Sequence, residues 1–142
     1  MTTFSPYPAY VLGTACLGRG LMALVSPREE YGHVGLPLES QVTTVPTPPS
    51  PDSSPINGSA SPLMYFKGIR EISYGATLVA LQFQENESAV TTVAAILSLV
   101  RLGDGLVVWL WGGDKLRYRA MGHWITGVGF LGWVARRWIL RP

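Results

Sequence analysis

Charged side chains stand inside apolar segments of this 142-residue chain, and they are the residues best able to do chemistry. They are Glu71 with its neighbour Arg70, Arg101 with Asp104 three residues later, and His123. An ionisable group in apolar surroundings is costly, and such groups occur most often where a protein binds or reacts. A carboxylate kept ionised by arginine can activate water or a hydroxyl, while a second, protonated acid gives its proton to a leaving oxygen. The residue types therefore predict acid–base catalysis.

Two acids with arginine suit the opening of an epoxide, because that reaction needs a positioned nucleophile and a proton for the developing alkoxide. We expect Asp104 and Glu71 to be the base and the acid, in an order that the sequence leaves open. Arg70 and Arg101 would control charge and stabilise an oxyanion, and His123 would exchange protons at the mouth of the site. This chemistry needs neither a metal nor a cofactor, and we expect none.

Four mainly apolar segments must position these residues, at 7–26, 65–84, 89–112 and 120–140. About 20 helical residues, at about 1.5 Å each, cross a bilayer core of about 30 Å. Charged residues make up only 14% of the chain, against roughly 25% in ordinary soluble domains. The sequence predicts an all-α fold, an integral membrane four-helix bundle that forms a single domain over residues 1–142. A soluble bundle is disfavoured because the run 106–111 has no polar face.

A Pro-rich stretch separates the first two predicted helices. Eight of the eleven prolines lie between residues 27 and 62, among Ser, Thr and acidic residues. Such a composition buries too little apolar area to compensate for ordering, so we expect a long disordered loop at 37–62. Residues 28–36 are expected to form a short interfacial helix or turn, in which His33 is solvated.

The charged residues share one depth in the predicted bundle, because the short second and third connections make successive helices antiparallel. At about 1.5 Å per residue, the following lie roughly 9 to 16 Å from the loop end: Arg19, Arg70, Glu71, Arg101 and Asp104. We expect Glu71 to pair with Arg19 or Arg101, and Arg70 or Arg101 to pair with Asp104. Arg19 and Tyr74, which follows Glu71 by three residues, are the expected substrate contacts.

Other kinds of chemistry find little support in the sequence. Cys16 is the only cysteine, so an intrachain disulfide and a cysteine zinc site are excluded, and we expect it to be an inert packing residue. The net charge of +2 is too small and too scattered to indicate nucleic-acid binding. The chain has no phosphate-binding glycine loop and no Gly-x-Ser-x-Gly elbow.

Three segments carry a resemblance to a known family: GIREISYG from Gly68, SLVRLGDG from Ser98 and GHWITG from Gly122. They resemble a family of small four-span fungal membrane proteins known only as a domain of unknown function. The resemblance covers roughly residues 64–138 and the general form of the first span, and it implies a place in a secondary-metabolite gene cluster. In size and in its clustered polar residues, the chain is also similar to small hydrolases that open epoxidised polyenes in polyketide pathways of the aurovertin and citreoviridin type. This second likeness implies no particular catalytic residue.

These observations predict a membrane-embedded hydrolase or cyclase that opens an epoxide, or a related lipophilic intermediate, in fungal polyketide biosynthesis. The alternative is a non-catalytic membrane scaffold or partner subunit for other pathway enzymes, in which the charges only set helix register. The expected partners are membrane lipid, a lipophilic small molecule and other membrane-bound enzymes. Basic residues near the loop-side helix ends favour a cytosolic loop, and we expect a multi-pass protein of the endoplasmic reticulum.

Overall fold

The computed structural model describes residues 5–39 and 60–140, and every regular element within them is a helix. The helices are α1 (Tyr7–Val25), α2 (Pro27–Val34), α3 (Pro62–Phe83), α4 (Glu87–Trp111), α5 (Gly113–Leu116) and α6 (Ala120–Ile139), with a 3₁₀ turn (Arg117–Arg119) before α6. The four long helices confirm the four predicted segments to within three residues at each end. The predicted all-α class is confirmed for this part of the chain.

Local sequence signals set the helix boundaries. Ser61 caps α3, its Oγ accepting a hydrogen bond of 3.3 Å from Leu63 N, and Pro62 takes the first helical position. Asn86 caps α4 in the same way, with Oδ1 3.1 Å from Ala89 N. Gly35 ends α2 with a φ of +96°, a conformation that side chains with a Cβ disfavour.

The expectation of a disordered loop at 37–62 falls mainly on residues 40–59, which lie outside the described residues. The described ends of that segment, however, pack on the bundle. The Tyr31 hydroxyl accepts a hydrogen bond of 3.1 Å from Ser61 N and lies 3.4 Å from Glu39 Oε1. Leu38 and Ala60 pack against the buried cluster of Ala23, Tyr31 and Met64. The predicted loop was therefore too long at both ends, because these contacts depend on tertiary packing, which composition does not show. A short helix, expected within 28–36, is present as α2.

Two antiparallel helix pairs form the bundle. Along α1 and α3 the backbones approach closely, and a Cβ added at Gly75 would lie 2.5 Å from the carbonyl oxygen of Gly13. The contact of α4 with α6 is looser, since a Cβ added at Gly127 would lie 3.0 Å from the Leu102 side chain and 3.3 Å from Ser98 O. Side chains from all four long helices meet in one core: Ala9, Leu12, Cys16, Leu78, Val90, Ala94, Leu97 and Val134. The predicted burial of Cys16 is confirmed.

A charged contact closes the end of the bundle near the α3–α4 connection. The guanidinium of Arg137 pairs with the Glu87 carboxylate, donates a hydrogen bond of 3.3 Å to Glu87 O and lies 4.7 Å from the centre of the Trp133 ring. Only 1% of Arg137 is exposed. This contact fixes the end of α6 against the start of α4.

The outer surface of the bundle is strongly apolar. By length and composition, two helices could cross a membrane, α1 and α4. The other two long helices also expose large apolar side chains, among them Leu63, Phe66, Ile69 and Phe83 on α3 and Ile125, Val128, Trp138 and Ile139 on α6. Apolar surface of this extent is typical of contact with lipid or with another protein. The expectation of four membrane spans remains a prediction.

Candidate functional site

Four of the predicted site residues line one small cavity in the bundle. Glu71 and Tyr74 come from α3, and Arg101 and Asp104 come from α4. The cavity has a volume of about 20 Å³, which is room for roughly one water molecule. Its remaining walls are mainly apolar: Leu12, Cys16, Leu97, Ser98, Val100 and Phe130. The cavity is therefore a space of water size between helices, in which a few ionisable groups stand among mainly apolar walls.

Helix spacing explains why these four side chains meet. Glu71 and Tyr74 are three residues apart, as are Arg101 and Asp104, so each pair lies on one face of its helix. The three-residue connection 84–86 brings α3 and α4 side by side. Glu71 is almost completely buried, with 3% exposed, while Tyr74, Arg101 and Asp104 are partly buried.

A larger cleft adjoins the cavity, bounded mainly by α1 and α6. Its volume is about 370 Å³, within the usual range of small-molecule sites, roughly 300 to 1,000 Å³. Leu12, Arg101 and Phe130 line both spaces. The predicted residues Arg19 and His123 line this cleft rather than the cavity. Arg101 thus stands between a space that suits water and a space that suits a ligand.

His123 is held at the cleft by a backbone contact. Its Nε2–H donates a hydrogen bond of 3.1 Å to the carbonyl oxygen of Val34, at the end of α2. His33, which we expected to be solvated in a loop, lies on α2, is exposed and lines the same cleft. Both imidazoles therefore lie on the side of the cleft where α2 packs.

One buried acid that the sequence analysis did not single out pairs with two basic side chains. Glu30 on α2 is completely buried, and its Oε1 lies 2.9 Å from Arg19 NH2 and 3.0 Å from Lys67 Nζ. Lys67 also lies 3.8 Å from Glu71, one helical turn further along α3. The four charges form a continuous row from α1 through α2 to the cavity acid on α3.

This row corrects two predicted pairings. The ion pair of Glu71 is with Lys67, and that of Arg19 is with Glu30. The i,i+4 spacing of Lys67 and Glu71 was visible in the sequence and could have been used. No comparable signal marked Glu30, because its burial depends on how α2 docks.

Arg70 is separated from the other site residues. It is exposed and lines neither the cavity nor the cleft. Among the ion pairs of residues 5–39 and 60–140, none joins Asp104 to Arg70 or to Arg101. Adjacent helical residues point about 100° apart, so the burial of Glu71 turns Arg70 outward. The expected Arg70–Asp104 pair is wrong, and Arg70 has no contact with the cavity.

A sequence model of the family described as a domain of unknown function, DUF4267, matches residues 13–137. The chain belongs to this family. The DUF4267 match includes the whole charged row, the basic side chains of the cleft and every lining residue of the cavity except Leu12. Comparison of the chain with curated proteins and with solved structures found no match.

Proposed function

We propose that this DUF4267 protein is a multi-pass membrane enzyme that opens an epoxide, or a related lipophilic intermediate, by acid–base chemistry without a cofactor. One observation carries the proposal. Two carboxylic acids, a tyrosine and an arginine surround a cavity of water size that adjoins a cleft of ligand size. Such a pair of spaces suits the addition of water to a bound apolar molecule, because the water is held by polar groups while the substrate lies among apolar ones.

The four-span arrangement belongs to the same proposal. The exposed apolar side chains of α3 and α6 support it, because they would contact lipid beside α1 and α4. An intermediate dissolved in the bilayer would then reach the cleft laterally, without passing through water. We propose a secondary-metabolite pathway, with the protein in the endoplasmic reticulum membrane and the Pro-rich segment on the cytosolic side.

In the proposed reaction, Glu71 takes a proton from the water in the cavity as the water oxygen attacks an epoxide carbon. The carbon–oxygen bond breaks, and its electron pair moves to the epoxide oxygen. Asp104 in its protonated form supplies the proton that converts this alkoxide to a hydroxyl, and Arg101 stabilises the developing negative charge. A vicinal diol is the product, and a final proton transfer from Glu71 to Asp104 restores both acids. Attack by a hydroxyl of the substrate in place of water would give a cyclic ether.

The order of the two acids follows from their neighbours. Glu71 has a cation 3.8 Å away, Lys67, and an ion pair with lysine requires the ionised carboxylate that a base must be. Asp104 has no ion-pair partner within 4.0 Å in the described part of the chain. Tyr74 lies in the same cavity and can donate a hydrogen bond to the epoxide oxygen. Arg70 has no role in this scheme.

The test uses variants that keep size but remove ionisation. A producing strain lacking the gene is complemented with Asp104→Asn or Glu71→Gln, and its metabolites are profiled by mass spectrometry. Loss of a general acid or base lowers rates by about 10² to 10⁴, so an epoxide should accumulate and its diol or cyclic product should fall. Asp114→Asn, at an exposed aspartate on α5, is the matched control and should restore the product. Normal product from both site variants, at normal protein level, would show that the chain is not this enzyme.

The scaffold alternative rests on an open glycine face of α6. A Cβ added at Gly122, Gly129 or Gly132 would meet nothing within 4 Å, so these positions could receive a helix of another protein. Gly132→Leu would block such docking without touching the bundle, whereas Gly127→Leu would meet Leu102. A scaffold predicts that Gly132→Leu removes the product while Asp104→Asn leaves it unchanged. The enzyme predicts the reverse.

A further inference from the structure

The cleft beside the cavity contains several basic side chains, of which the proposed reaction uses only Arg101. Five basic side chains line it: Arg19, His33, Arg101, Arg119 and His123. No acidic residue is among its described lining residues. Grouped basic side chains of this kind attract anions, and arginine binds carboxylates through paired hydrogen bonds.

Not all of this positive charge is balanced by the protein. Arg19 is already paired with Glu30 at 2.9 Å. Arg101 also lines the cavity that contains Asp104. Arg119 forms no ion pair within residues 5–39 and 60–140, and its Nε donates a hydrogen bond of 3.2 Å to the uncharged Tyr118 hydroxyl. Arg101 forms no ion pair with Asp104 either, but it lies where the cleft meets the cavity. In the rest of the cleft the arginine charge left for a ligand is that of Arg119, which suits one carboxylate.

Polarity changes along the length of the cleft. Because α1 and α6 run in opposite directions, Arg19 lies near the level of Arg119 and His123, while Val11 lies near the level of Phe130. Four basic side chains thus lie toward one end: Arg19, His33, Arg119 and His123. At the other end Val11, Leu12 and Phe130 form an apolar wall, beside which Arg101 faces the cavity as well. From Arg119 to Phe130 the cleft follows roughly 16 Å of helix, at about 1.5 Å per residue. This gradient matches a molecule with one charged end and one hydrocarbon chain.

We propose that the cleft binds a single-chain amphiphile through a carboxylate held by Arg119, with its chain along Val11, Leu12 and Phe130. Its reactive carbons would then pass Arg101, where the cleft meets the cavity. That this ligand is the substrate depends on the proposed function, but its binding does not. A two-chain phospholipid does not fit the proposal, because a volume of about 370 Å³ is at the lower end for a ligand site.

The test is equilibrium binding of tritiated palmitate to the full chain, purified in a neutral steroidal detergent. Palmitate should bind at least about tenfold more tightly than hexadecanol, since only the acid forms a charge-assisted contact. Arg119→Gln should weaken palmitate binding by about tenfold and leave hexadecanol binding unchanged. Arg117→Gln, which removes the same charge two residues away and outside the cleft, should change neither affinity. Size-exclusion elution shows that each variant is folded.

A steric pair of variants tests the apolar half of the site. Ala15 lines the cleft on α1, so Ala15→Phe should fill it and abolish palmitate binding. Ala80→Phe, at an exposed alanine of α3 outside the cleft, should have no effect. Asp104→Asn should keep palmitate binding, which separates this proposal from the proposed reaction.

Three results would overturn the proposal. Equal affinities for palmitate and hexadecanol would show that the carboxylate does not contribute to binding. Equal losses of palmitate affinity from Arg119→Gln and Arg117→Gln would show that general surface charge, and not Arg119, attracts the ligand. Displacement of palmitate by dioleoyl phosphatidic acid at equal or lower concentration would assign the cleft to bilayer lipid instead of a single-chain acid.

Discussion

The buried carboxylate of Glu30 should contribute more to stability than any exposed charge in the chain. Its side chain is 0% exposed, and two cationic nitrogens lie 2.9 and 3.0 Å from Oε1. At an effective dielectric of about 20, each contact is worth about 5 kcal/mol before desolvation is subtracted. Desolvation of the carboxylate offsets several kcal/mol of this, and loss of one partner from a buried pair typically costs about 3 to 5 kcal/mol.

The Glu30→Gln variant should fall at the lower end of that range. Glutamine keeps the size and one oxygen acceptor, and the Arg19 and Lys67 side chains are 31% and 17% exposed, so water can partly solvate them. We expect a loss of about 3 kcal/mol, which for a chain of this length lowers the melting temperature by roughly 10 °C. Thermal unfolding in detergent, followed by tryptophan fluorescence, measures the shift.

Glu29 provides the matched control, because it is the preceding residue of α2 and is exposed. Glu29→Gln should change the free energy of unfolding by less than about 0.5 kcal/mol. If Glu30 and Lys67 interact directly, combining Glu30→Gln with Lys67→Gln should cost at least about 1 kcal/mol less than the sum of the single changes. Equal melting temperatures for the Glu29 and Glu30 variants, or strict additivity with Lys67, would refute the assignment of a buried ion-pair row.

Two further predictions concern packing and the closed end of the bundle. Gly75→Ala should lower stability by about 1 to 3 kcal/mol, because its Cβ would lie 2.5 Å from a backbone oxygen that cannot move aside. Gly129→Ala, in open space, should raise stability by up to about 1 kcal/mol. Melting temperatures that shift in the same direction for both variants would contradict the α1–α3 contact. Arg137→Gln should cost about 1 to 2 kcal/mol, because it removes the charged hydrogen bonds to Glu87 but leaves a carboxylate that is 38% exposed and that water can solvate. The exposed neighbour Arg136→Gln should be nearly neutral. Chemical unfolding that gives both variants the same stability would show that Arg137 does not close the bundle.

The positions of the long helices were predictable because their signals are local. An apolar run of about 20 residues marked each helix. Ser61 and Asn86 cap the helices that begin directly after them, α3 and α4. The shared depth of Glu71, Arg101 and Asp104 was predictable for the same reason, since a helix rises by a constant distance per residue. These three residues do line one cavity.

The rotation of each helix was not predictable from such signals. Helices that are apolar on all sides do not indicate which face turns inward, so Arg70 and Glu71 appeared equally suited to the site. The close glycine contacts between α1 and α3 fix the rotation of α3, and this rotation determines which of the two residues faces the bundle. The result places Glu71 in the cavity and leaves Arg70 exposed.

Sequence alone determined that this chain is helical, strongly apolar and equipped with ionisable groups at one depth, because composition and rise per residue are properties of each segment by itself. Only the tertiary structure decided that Glu30 is buried, that Lys67 lies between two acids and that the cleft is basic at one end. Those features depend on which surfaces of α1, α2, α3 and α6 face one another. Ion pairs between helices have no fixed spacing along the chain, so no pattern of residues could reveal them.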